Sequence, residues 1–433
     1  MQLFGSSGIR RVFDIELVRL AFKVSLAVGK VYGDVVIGND TRTSSDALKH
    51  AIISGLLTAG ANCSDAGLIP TPTLALATRK FSAGIMITAS HNPPEYNGIK
   101  LWNPDGSSFS AYQQEEIEGL VVNEIANTAP WNEIKQCNIY TGAIQQHLER
   151  ISQEFSGEWK LRVVVDCGGG AASRITTNLL KRMGCDVLPL HDSPTGVFPR
   201  SIEPLESNLD DLIRITRESG ATLAIAHDGD ADRMMAIDEK GRFISGDRLL
   251  AIFAGAMRAR EIVTTVDASM AIDEMGFIVR RTRVGDVYVS NELKNGGEFG
   301  GEPSGSWVFP GISLCPDGIY AAALITYIAS QQKLSELVDS IPCYPLLRGS
   351  ISSYRVVIST LESKLMDLQP LSISNVDGIK LDFGDGWLLV RSSGTEPKMR
   401  LTAEARNEAR AKEIYHLGEI AIRESMANKE RVS

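Results

Sequence analysis

The sequence predicts an α/β protein with three successive α/β domains, built on parallel or mixed sheets, and a smaller C-terminal α+β domain. Apolar strand patterns alternate with helix patterns through most of the chain, and short strands followed by one charged helix replace them near its end. The 433 residues also exceed what one hydrophobic core usually serves. We expect domains at residues 1–145, 146–246, 247–347 and 348–433.

The first domain contains a strand–helix–strand pattern. Residues 35–38 and 84–88 are apolar runs typical of buried strands, and residues 44–60 between them have the spacing of an amphipathic helix. Ser44 offers a capping hydroxyl at the start of this helix, and Gly60 is a suitable stop. Such a unit makes a parallel sheet with a right-handed crossover, and ligands bind at the carboxyl edge of sheets of this kind.

The alternation restarts twice and then changes. Strands of the second and third domains are expected at residues 161–166, 222–226, 234–237 and 261–266, and helices at residues 179–183, from 269 and at 317–330. The last domain is expected to contain strands at residues 354–358, 378–381, 386–390 and 399–403 and a charged helix at residues 408–425. Three glycines at 168–170 match no nucleotide-binding pattern and predict a tight turn.

The composition excludes several classes of protein. A formal net charge of −9 argues against a nucleic-acid partner. The six cysteines show neither a CxxC pair nor metal-ligand spacing, which favours reduced thiols. The longest apolar run, near residues 319–328, is too short to span a bilayer, and the N-terminus lacks the layout of a signal peptide. We therefore expect a cytoplasmic protein without a membrane partner.

Residues 88–94, Thr-Ala-Ser-His-Asn-Pro-Pro, contain a candidate nucleophile. Ser90 follows a predicted strand, so we expect it at the carboxyl edge of the sheet. His91 stands beside it, and Pro93 and Pro94 stiffen the loop. For this loop alone, a simple turn that ends a strand would be the better interpretation. The other motifs of the chain favour the functional one.

Three carboxylates indicate a metal site. Asp228, Asp230 and Asp232 occupy alternate positions of a loop that we expect to be extended, so their side chains would point the same way. Three oxygen ligands suit Mg²⁺, and Arg233 beside them suits a phosphate held next to the metal. The spacing also fits the start of a calcium-binding loop. That alternative is rejected because Arg233 stands where such a loop needs glycine and because the flanking segments are strands.

Two further loops carry polar groups. Residues 300–306 form a glycine-rich loop in which Glu302 can bind two neighbouring sugar hydroxyls, with a surface turn as the alternative. Residues 391–400 combine hydroxyl side chains, a glycine and flanking arginines after a predicted strand, which favours an anion cradle. Arg10 and Lys100 are additional candidates for phosphate contacts, and Lys100 for proton transfer.

These loops, in this order, resemble the motifs of the α-D-phosphohexomutase family, and in particular its phosphoglucosamine mutase and phosphomannomutase branch, over nearly the whole chain. The resemblance implies four domains around a central cleft, each contributing one loop. It implies that Ser90 is phosphorylated and that Mg²⁺ is held by the phosphoserine and by Asp228, Asp230 and Asp232. The residues implied to surround the transferring phosphoryl group are Arg10, His91, Lys100 and Arg233. Those implied to contact the sugar are Glu302, Ser304, Gly285 and Asp286, and those implied to clamp the non-reacting phosphate are Arg391, Ser393, Gly394 and Thr395.

The implied reaction isomerises a hexose phosphate through phospho-Ser90 and a hexose 1,6-bisphosphate, which is both intermediate and activator. The phosphoglucosamine branch suggests glucosamine 6-phosphate and glucosamine 1-phosphate, with mannose or glucose phosphates as the alternative. The expected partner is therefore a small-molecule hexose phosphate, and both a monomer and a homodimer stay open. Two departures from the family pattern are Ser306, where many members have His, and Ser6, where Thr is usual. The first weakens any inference about the sugar.

Two other classes of function compete with this interpretation. A non-catalytic phosphosugar-binding protein would need neither Ser90 nor the three aspartates. A Mg²⁺-dependent phosphatase would be expected to use an aspartate nucleophile and a single phosphate site. The sequence favours the mutase over both, and it leaves Lys100 and His91 as equal candidates for proton transfer.

Overall fold

The structure is a computed structural model, which describes residues 3–5, 7–123, 128–352, 356–392 and 398–426. The chain forms two compact units. The first contains residues 1–259 and 285–339, and the second contains residues 260–284 and 340–433. The chain thus leaves the first unit once and returns to it before its final segment.

Helices and strands alternate through most of the chain, although some strands directly follow one another, as the three strands between residues 223 and 244 do. Up to residue 152 they are β1 (Ile9–Val12), α1 (Ile15–Tyr32), β2 (Asp34–Asn39), α2 (Ser45–Thr58), β3 (Asn62–Leu68), α3 (Thr71–Ala77), β4 (Ala83–Ile87), β5 (Tyr96–Trp102), α4 (Ala111–Val122), β6 (Cys137–Ile139) and α5 (Ala143–Ser152). The next are β7 (Arg162–Asp166), α6 (Thr176–Arg182), β8 (Asp186–Leu190), α7 (Asp210–Ser219), β9 (Leu223–His227), β10 (Met234–Asp238), β11 (Phe243–Ile244) and α8 (Gly246–Ala256).

The remaining elements belong to both units. They are β12 (Glu261–Thr265), β13 (Ile278–Thr282), α9 (Asp286–Leu293), β14 (Phe299–Glu302), β15 (Ser306–Val308), α10 (Gly318–Gln331), α11 (Leu334–Ser340), β16 (Leu346–Ser352), α12 (Ile358–Met366), β17 (Ser372–Ser374), β18 (Ile379–Asp382), β19 (Gly386–Ser392), β20 (Lys398–Ala405) and α13 (Glu408–Glu424).

Two mixed sheets organise the first unit. The larger has the strand order β1-β5-β4-β2-β3-β6, in which β2 is parallel to β3 and β4, while β5 is antiparallel to β4. The other has the order β11-β10-β9-β7-β8, in which β7 is parallel to β8 and β9 and β10 is antiparallel to β9. Because β2 and β4 are parallel, the loops that follow Asn39 and Ile87 leave the same edge of the sheet.

The second unit ends in an α+β layer. Its sheet has the order β16-β20-β19-β18-β17 and is antiparallel throughout, and β12 is parallel to β13. Apolar side chains of α12 and α13 cover one face of the sheet, where Leu365 and Ile422 pack with Leu388 and Leu401. Since side chains alternate along a strand, the residues that precede and follow each of these two leucines on its own strand lie on the other face.

The predicted fold class is confirmed, with mixed sheets and a final α+β layer. Several elements differ from the prediction. Helix α2 leads into β3, which is not recognisable in the sequence because only three of its seven residues are Cys, Ala or Leu. The helix expected from residue 269 is a short 3-10 helix, Met270–Met275.

The strand predicted at residues 354–358 does not extend to Ile358. Residues 354 and 355 lie outside the described part of the chain, and Ile358 begins α12. The β-branched residues there favour a strand locally, but Leu361 and Leu365 stand one helical turn apart and are both buried, so packing decides for the helix. Within the described residues, no helix is long and apolar enough to cross a membrane.

Candidate active site

The loop after β4 holds Ser90 in a constrained position. Ser90 is 1 % exposed and has φ = +50°, a left-handed conformation that non-glycine residues seldom adopt. Its N–H donates to Thr88 Oγ1 at 2.8 Å. Its hydroxyl lies 2.8 Å from Asp228 Oδ2, to which it donates, and 3.3 Å from His91 Nδ1. The candidate nucleophile is therefore aimed at the loop that follows β9.

That second loop brings the three predicted carboxylates together. Asp228, Asp230 and Asp232 are buried, and one oxygen of each lies within 4.8 Å of the others. The sequence suggested that this loop is extended. It is bent instead, and Ala231 has φ = +58°. The convergence therefore depends on a left-handed residue and not on simple alternation along the chain.

The serine loop and the aspartate loop are in direct backbone contact. A Cβ atom at Gly229 would lie 2.6 Å from the carbonyl oxygen of Ser90. A Cβ atom at Gly170, the last of the three consecutive glycines, would lie 2.7 Å from the carbonyl oxygen of Gly229. Real side chains do not tolerate such distances, so Gly229 is required where the aspartate loop meets the serine loop, and Gly170 is required where the turn after β7 meets the aspartate loop.

Lys100 lies against the carboxylates. It extends from β5, and its Nζ lies 2.7 Å from Asp230 Oδ2 and 2.7 Å from Asp232 Oδ2. Thr71, at the start of α3, donates to the same oxygen of Asp230 at 2.5 Å. Lys100 therefore does return to the site, as the sequence suggested, and its ammonium group forms two buried ion pairs there.

The pKa values reflect this crowding of charge. Burial alone would lower the pKa of Lys100, but Asp230 and Asp232 outweigh it and raise that pKa. Burial and the neighbouring aspartates raise the pKa of Asp228, whereas Lys100 outweighs burial at Asp230 and lowers its pKa. The charge of Arg233, together with burial and the charges of Arg10 and Lys100, lowers the pKa of His91 to about 2. The imidazole is therefore neutral near pH 7.

The acidic cluster fits a divalent cation. Oδ1 of Asp230 and Oδ1 of Asp232 are buried and have no hydrogen-bond partner among the residues that the structure describes. A buried carboxylate oxygen without a partner is costly, and a cation held by three carboxylates would remove that cost. Oxygen ligands of this kind are those that Mg²⁺ prefers. The donor set thus supports the predicted metal site.

Two arginines flank the cluster. Arg10, on β1, donates through Nη1 to Asn92 Oδ1 at 3.2 Å, and its Nε is buried without a hydrogen bond to any described residue. Arg233 follows the aspartates directly and donates from its N–H to Asp228 Oδ1 at 3.2 Å. Its guanidinium group lies 2.9 Å from Glu203 Oε1. Both cations therefore lie in the neighbourhood in which a phosphate on Ser90 would need neutralising.

The predicted sugar loop lies at the end of β14. Glu302 accepts the N–H of Gly285 at 2.6 Å, and the Ser304 hydroxyl lies 3.3 Å from the same carboxylate. Asp286 is the next residue of the chain and begins α9. The structure thus brings together the four residues that the sequence analysis assigned to sugar contacts.

Ser306, where the chain departs from the family pattern, and the next residue, Trp307, have structural positions in β15. Ser306 is 3 % exposed and forms an antiparallel bridge with Arg233. Trp307 is fully buried and donates from Nε1 to the carbonyl oxygen of Met234 at 2.8 Å. Both residues therefore attach the sugar loop to the strand that follows the aspartate loop.

The predicted phosphate loop belongs to the second unit and is only partly described. Ser393, Gly394 and Thr395 lie outside the described residues. Arg391 is described, near the end of β19, and lies opposite Arg400 on β20. With Arg348 these arginines line a cavity of about 360 Å³. Asp377 Oδ2 is 3.8 Å from the Arg391 guanidinium group.

Three further residues hold groups of this site in place, and none of them was a predicted site residue. Thr71 holds Asp230, Glu203 holds Arg233, and Thr88 receives the Ser90 N–H. Thr71 follows β3, which the sequence pattern does not reveal, and Glu203 lies in an irregular segment. Thr88 stands two residues before Ser90, so its position in the predicted serine loop was the available signal.

Comparisons with known proteins identify the family of the chain. Four domain families match the chain in order: phosphoglucomutase/phosphomannomutase α/β/α domain I at residues 1–128, domain II at 139–241, domain III at 245–344 and the C-terminal domain at 359–416. The chain therefore belongs to the phosphoglucomutase/phosphomannomutase family, and the predicted resemblance is confirmed.

The chain is also similar over nearly its whole length to individual proteins. The chain is 48% identical to a protein of Methanococcoides burtonii described as "Probable phosphoglucosamine mutase", over 98% of this chain and 100% of that protein. A protein of Pyrococcus abyssi with the same description is 41% identical, over 98% of each chain. The crystal structure of a phosphoglucomutase/phosphomannomutase family protein from Burkholderia thailandensis has a TM-score of 0.87 and 26% identity, covering 100% of this chain and 98% of that one.

Proposed function

We propose that this protein is a phosphoglucosamine mutase, which interconverts glucosamine 6-phosphate and glucosamine 1-phosphate. The observation that carries the proposal is the Ser90 hydroxyl, 2.8 Å from one carboxylate of a buried triad of aspartates. A protein that only binds phosphosugars would need no such pair. The choice of the amino sugar is supported by relatives of 40–48% identity with that description.

In the proposed reaction, the bond between Ser90 Oγ and phosphorus breaks and a bond from phosphorus to a hydroxyl oxygen of the sugar phosphate forms. The hydroxyl proton leaves, and Ser90 Oγ regains a proton. The product of this first step is a hexose 1,6-bisphosphate. The reverse step then returns the other phosphoryl group to Ser90, so that the sugar leaves with its phosphate moved and the enzyme is restored.

Neutralising and orienting the phosphoryl group is the main task of the protein in such a reaction. Arg10, Arg233 and Lys100 are the cations available around Ser90. Asp228, Asp230 and Asp232 would hold Mg²⁺, with an oxygen of phospho-Ser90 as a further ligand. When bound, Mg²⁺ supplies a positive charge that offsets the charge developing on the phosphoryl oxygens.

The proton that moves during transfer needs a carrier near Ser90. His91 is neutral, with Nδ1 3.3 Å from Ser90 Oγ, so it could take up a proton there once that hydroxyl no longer donates to Asp228 Oδ2. Lys100 is charged and can donate one. Both stay candidates for proton transfer, and they would act in opposite directions.

Recognition of the rest of the substrate is assigned to the other loops. Glu302 and Ser304, with Gly285 and Asp286, would contact the sugar hydroxyls. Arg391, with the loop at residues 393–395, would bind the phosphate that is not being transferred, since a guanidinium group can make two parallel hydrogen bonds to phosphate. We also propose that the four domains are divided near residues 145, 246 and 347, the limits expected from the sequence.

The test is a turnover assay with Mg²⁺ and a catalytic amount of hexose 1,6-bisphosphate. Glucosamine 6-phosphate, mannose 1-phosphate and glucose 1-phosphate are compared as substrates. We expect the highest kcat/KM on the amino sugar, and a loss of about 10⁴-fold or more in Ser90→Ala, because a missing nucleophile removes the covalent step. Ser54→Ala, an exposed serine of α2, is the matched control and should retain full activity.

Each other outcome has a definite meaning. A neutral hexose phosphate ahead of the amino sugar would make the protein a phosphomannomutase or phosphoglucomutase, the activities for which the family is named. Full activity in Ser90→Ala would exclude the phosphoserine route. Tight binding of all three sugars without any turnover would leave a phosphosugar-binding protein.

A further inference from the structure

Arg42 is a buried arginine that none of the steps above uses. It follows β2, at the same edge of the sheet as the serine loop, and is 2 % exposed. Its guanidinium group donates to four main-chain carbonyl oxygens of the serine loop and the strand after it. The acceptors are the carbonyl oxygens of Ser90 at 2.9 Å, Asn92 at 2.7 Å, Pro93 at 2.6 Å and Tyr96 at 2.8 Å.

Asp40 orients this guanidinium group. Its Oδ2 accepts from Arg42 Nε at 3.1 Å, and its Oδ1 accepts from the Arg42 N–H at 3.0 Å. Oδ2 also accepts from the Thr88 hydroxyl at 2.7 Å, and Thr88 Oγ1 in turn accepts from the Ser90 N–H. Asp40 and Arg42 therefore reach both the N–H and the C=O of Ser90, one through Thr88 and the other directly.

A segment between β8 and α7 closes over the same arginine. The ring of Phe198 lies with its centroid 5.1 Å from the Arg42 guanidinium carbon. A Cβ atom at Gly196 would lie 2.5 Å from the carbonyl oxygen of Thr41, so this turn packs tightly on the residue before Arg42. Arg42 is thus held between an aromatic face and a set of carbonyl groups, and its charge cannot reach a phosphate without breaking these contacts.

We propose that Arg42, oriented by Asp40, is a positioning residue that fixes the direction of the Ser90 side chain and so decides whether the phosphoryl group passes to the sugar or to water. Ser90 has a left-handed conformation, which serine does not favour by itself, and persists there only because its surroundings impose it. The inference rests on the proposed function, because it assumes that Ser90 carries the phosphoryl group.

The consequence for the reaction follows from the geometry of transfer. A displacement of about 1 Å at a reacting atom can reduce the rate about 10²-fold. Lysine in place of Arg42 retains one positive charge, but it cannot donate to four separated carbonyl groups at once. A relaxed serine loop would turn the phosphoserine away from Asp228 while leaving the sugar contacts at Glu302 in place.

The experiment compares Arg42→Lys with Arg19→Lys, an exposed arginine of α1 that serves as the matched control. For each variant, kcat and KM are measured on the amino-sugar phosphate, and Ser90 is loaded with ³²P from labelled hexose 1,6-bisphosphate. Release of label to water is then compared with its transfer to the sugar phosphate. We expect kcat to fall about 10²-fold in Arg42→Lys with KM within about threefold of the wild type, and the share of label lost to water to rise.

A second variant covers the case in which Arg42→Lys folds poorly. Thr88→Val has nearly the same shape and removes only the hydroxyl that links Asp40 to the Ser90 N–H. We expect a fall of about tenfold in kcat, again with KM unchanged and more label lost to water. A purely structural role would lower the fraction of active enzyme but would not change the partition of the label.

The outcomes separate this inference from the proposed function. If the wild type neither takes up label nor turns over any of the sugar phosphates, the proposed function fails. If the wild type is active and both Arg42→Lys and Thr88→Val match Arg19→Lys in kcat and in the partition of label, the positioning role fails. A rise in KM without a change in kcat would also overturn it.

Discussion

The two compact units hold their charged side chains in different ways. In the first unit, acids and bases of the site are buried and already paired, as in Lys100 with Asp230 and Asp232. In the second unit, Arg391, on β19, lies directly opposite Arg400, on β20. Like charges opposite each other on neighbouring strands destabilise a sheet. One unit therefore contains a preformed charge cluster, while the other contains two opposed arginines, with the Asp377 carboxylate 3.8 Å from Arg391, and this excess of positive charge favours an anion.

In the proposed reaction, this difference would suit two kinds of contribution. A buried and paired cluster is rigid before the substrate arrives, which suits a nucleophile that must be held in one direction. A partly exposed set of arginines gains most when a phosphate binds, because the anion relieves their repulsion. Changes in the charge cluster around Ser90 should therefore alter kcat and stability, and changes at the arginines of the second unit should alter KM.

The largest effect is expected from Lys100→Ala. Removing this ammonium group leaves two buried carboxylates without their partner, which costs about 3–5 kcal/mol of unfolding free energy. Mg²⁺ should raise Tm more in this variant than in the wild type, because the metal takes over the neutralising charge. Thermal unfolding with and without Mg²⁺ measures both effects.

Lys412→Ala is the control for that measurement. Lys412 pairs with Glu408 on the exposed face of α13, and such a surface pair contributes little to stability because water and salt screen it. Equal Tm values for the two variants would contradict the idea that the cluster in the first unit is a buried, coupled set of charges.

Arg391→Gln is expected to act on binding instead. A charged hydrogen bond to phosphate contributes about 1.5–3 kcal/mol, so KM should rise about 10–100-fold while kcat and Tm stay close to the wild type. Arg400→Gln should raise KM by a smaller factor than Arg391→Gln does. It should also raise Tm slightly, since it removes a positive charge opposite Arg391. A kcat that falls with KM unchanged in either variant would remove the distinction between the two units. Steady-state kinetics over a wide range of substrate concentration provides the measurement.

Much of the site could be predicted from the sequence because its groups stand at the ends of strands. Ser90 follows β4 and Asp228 follows β9, and both strands are continuous apolar runs that mark the loops after them. The final antiparallel layer was also predictable, since β18, β19 and β20 have clear strand patterns. A local sequence pattern was sufficient to predict the position of a residue wherever a single strand or helix determines that position.

The remainder depends on contacts between distant parts of the chain. Asp40 and Arg42 closely follow the predicted strand at residues 35–38, but nothing in the sequence shows that the guanidinium group binds carbonyls about fifty residues away. Thr71 reaches Asp230 from 159 positions earlier in the chain. The bend at Ala231 is a further case, because an alanine with positive φ has no local signature.

The smallest of the expected effects is the response to salt, and it distinguishes the two units without any mutation. The screening length falls from about 10 Å at 0.1 M salt to about 3 Å at 1 M, and exposed charges are screened much more than buried ones. Raising NaCl over this range should therefore increase KM a few-fold through Arg348, Arg391 and Arg400, which line one cavity of the second unit. The value of kcat should change little, because the charges around Ser90 are buried. In Arg391→Gln the salt dependence of KM should become weaker, and an unchanged salt dependence would mean that the substrate phosphate is bound elsewhere.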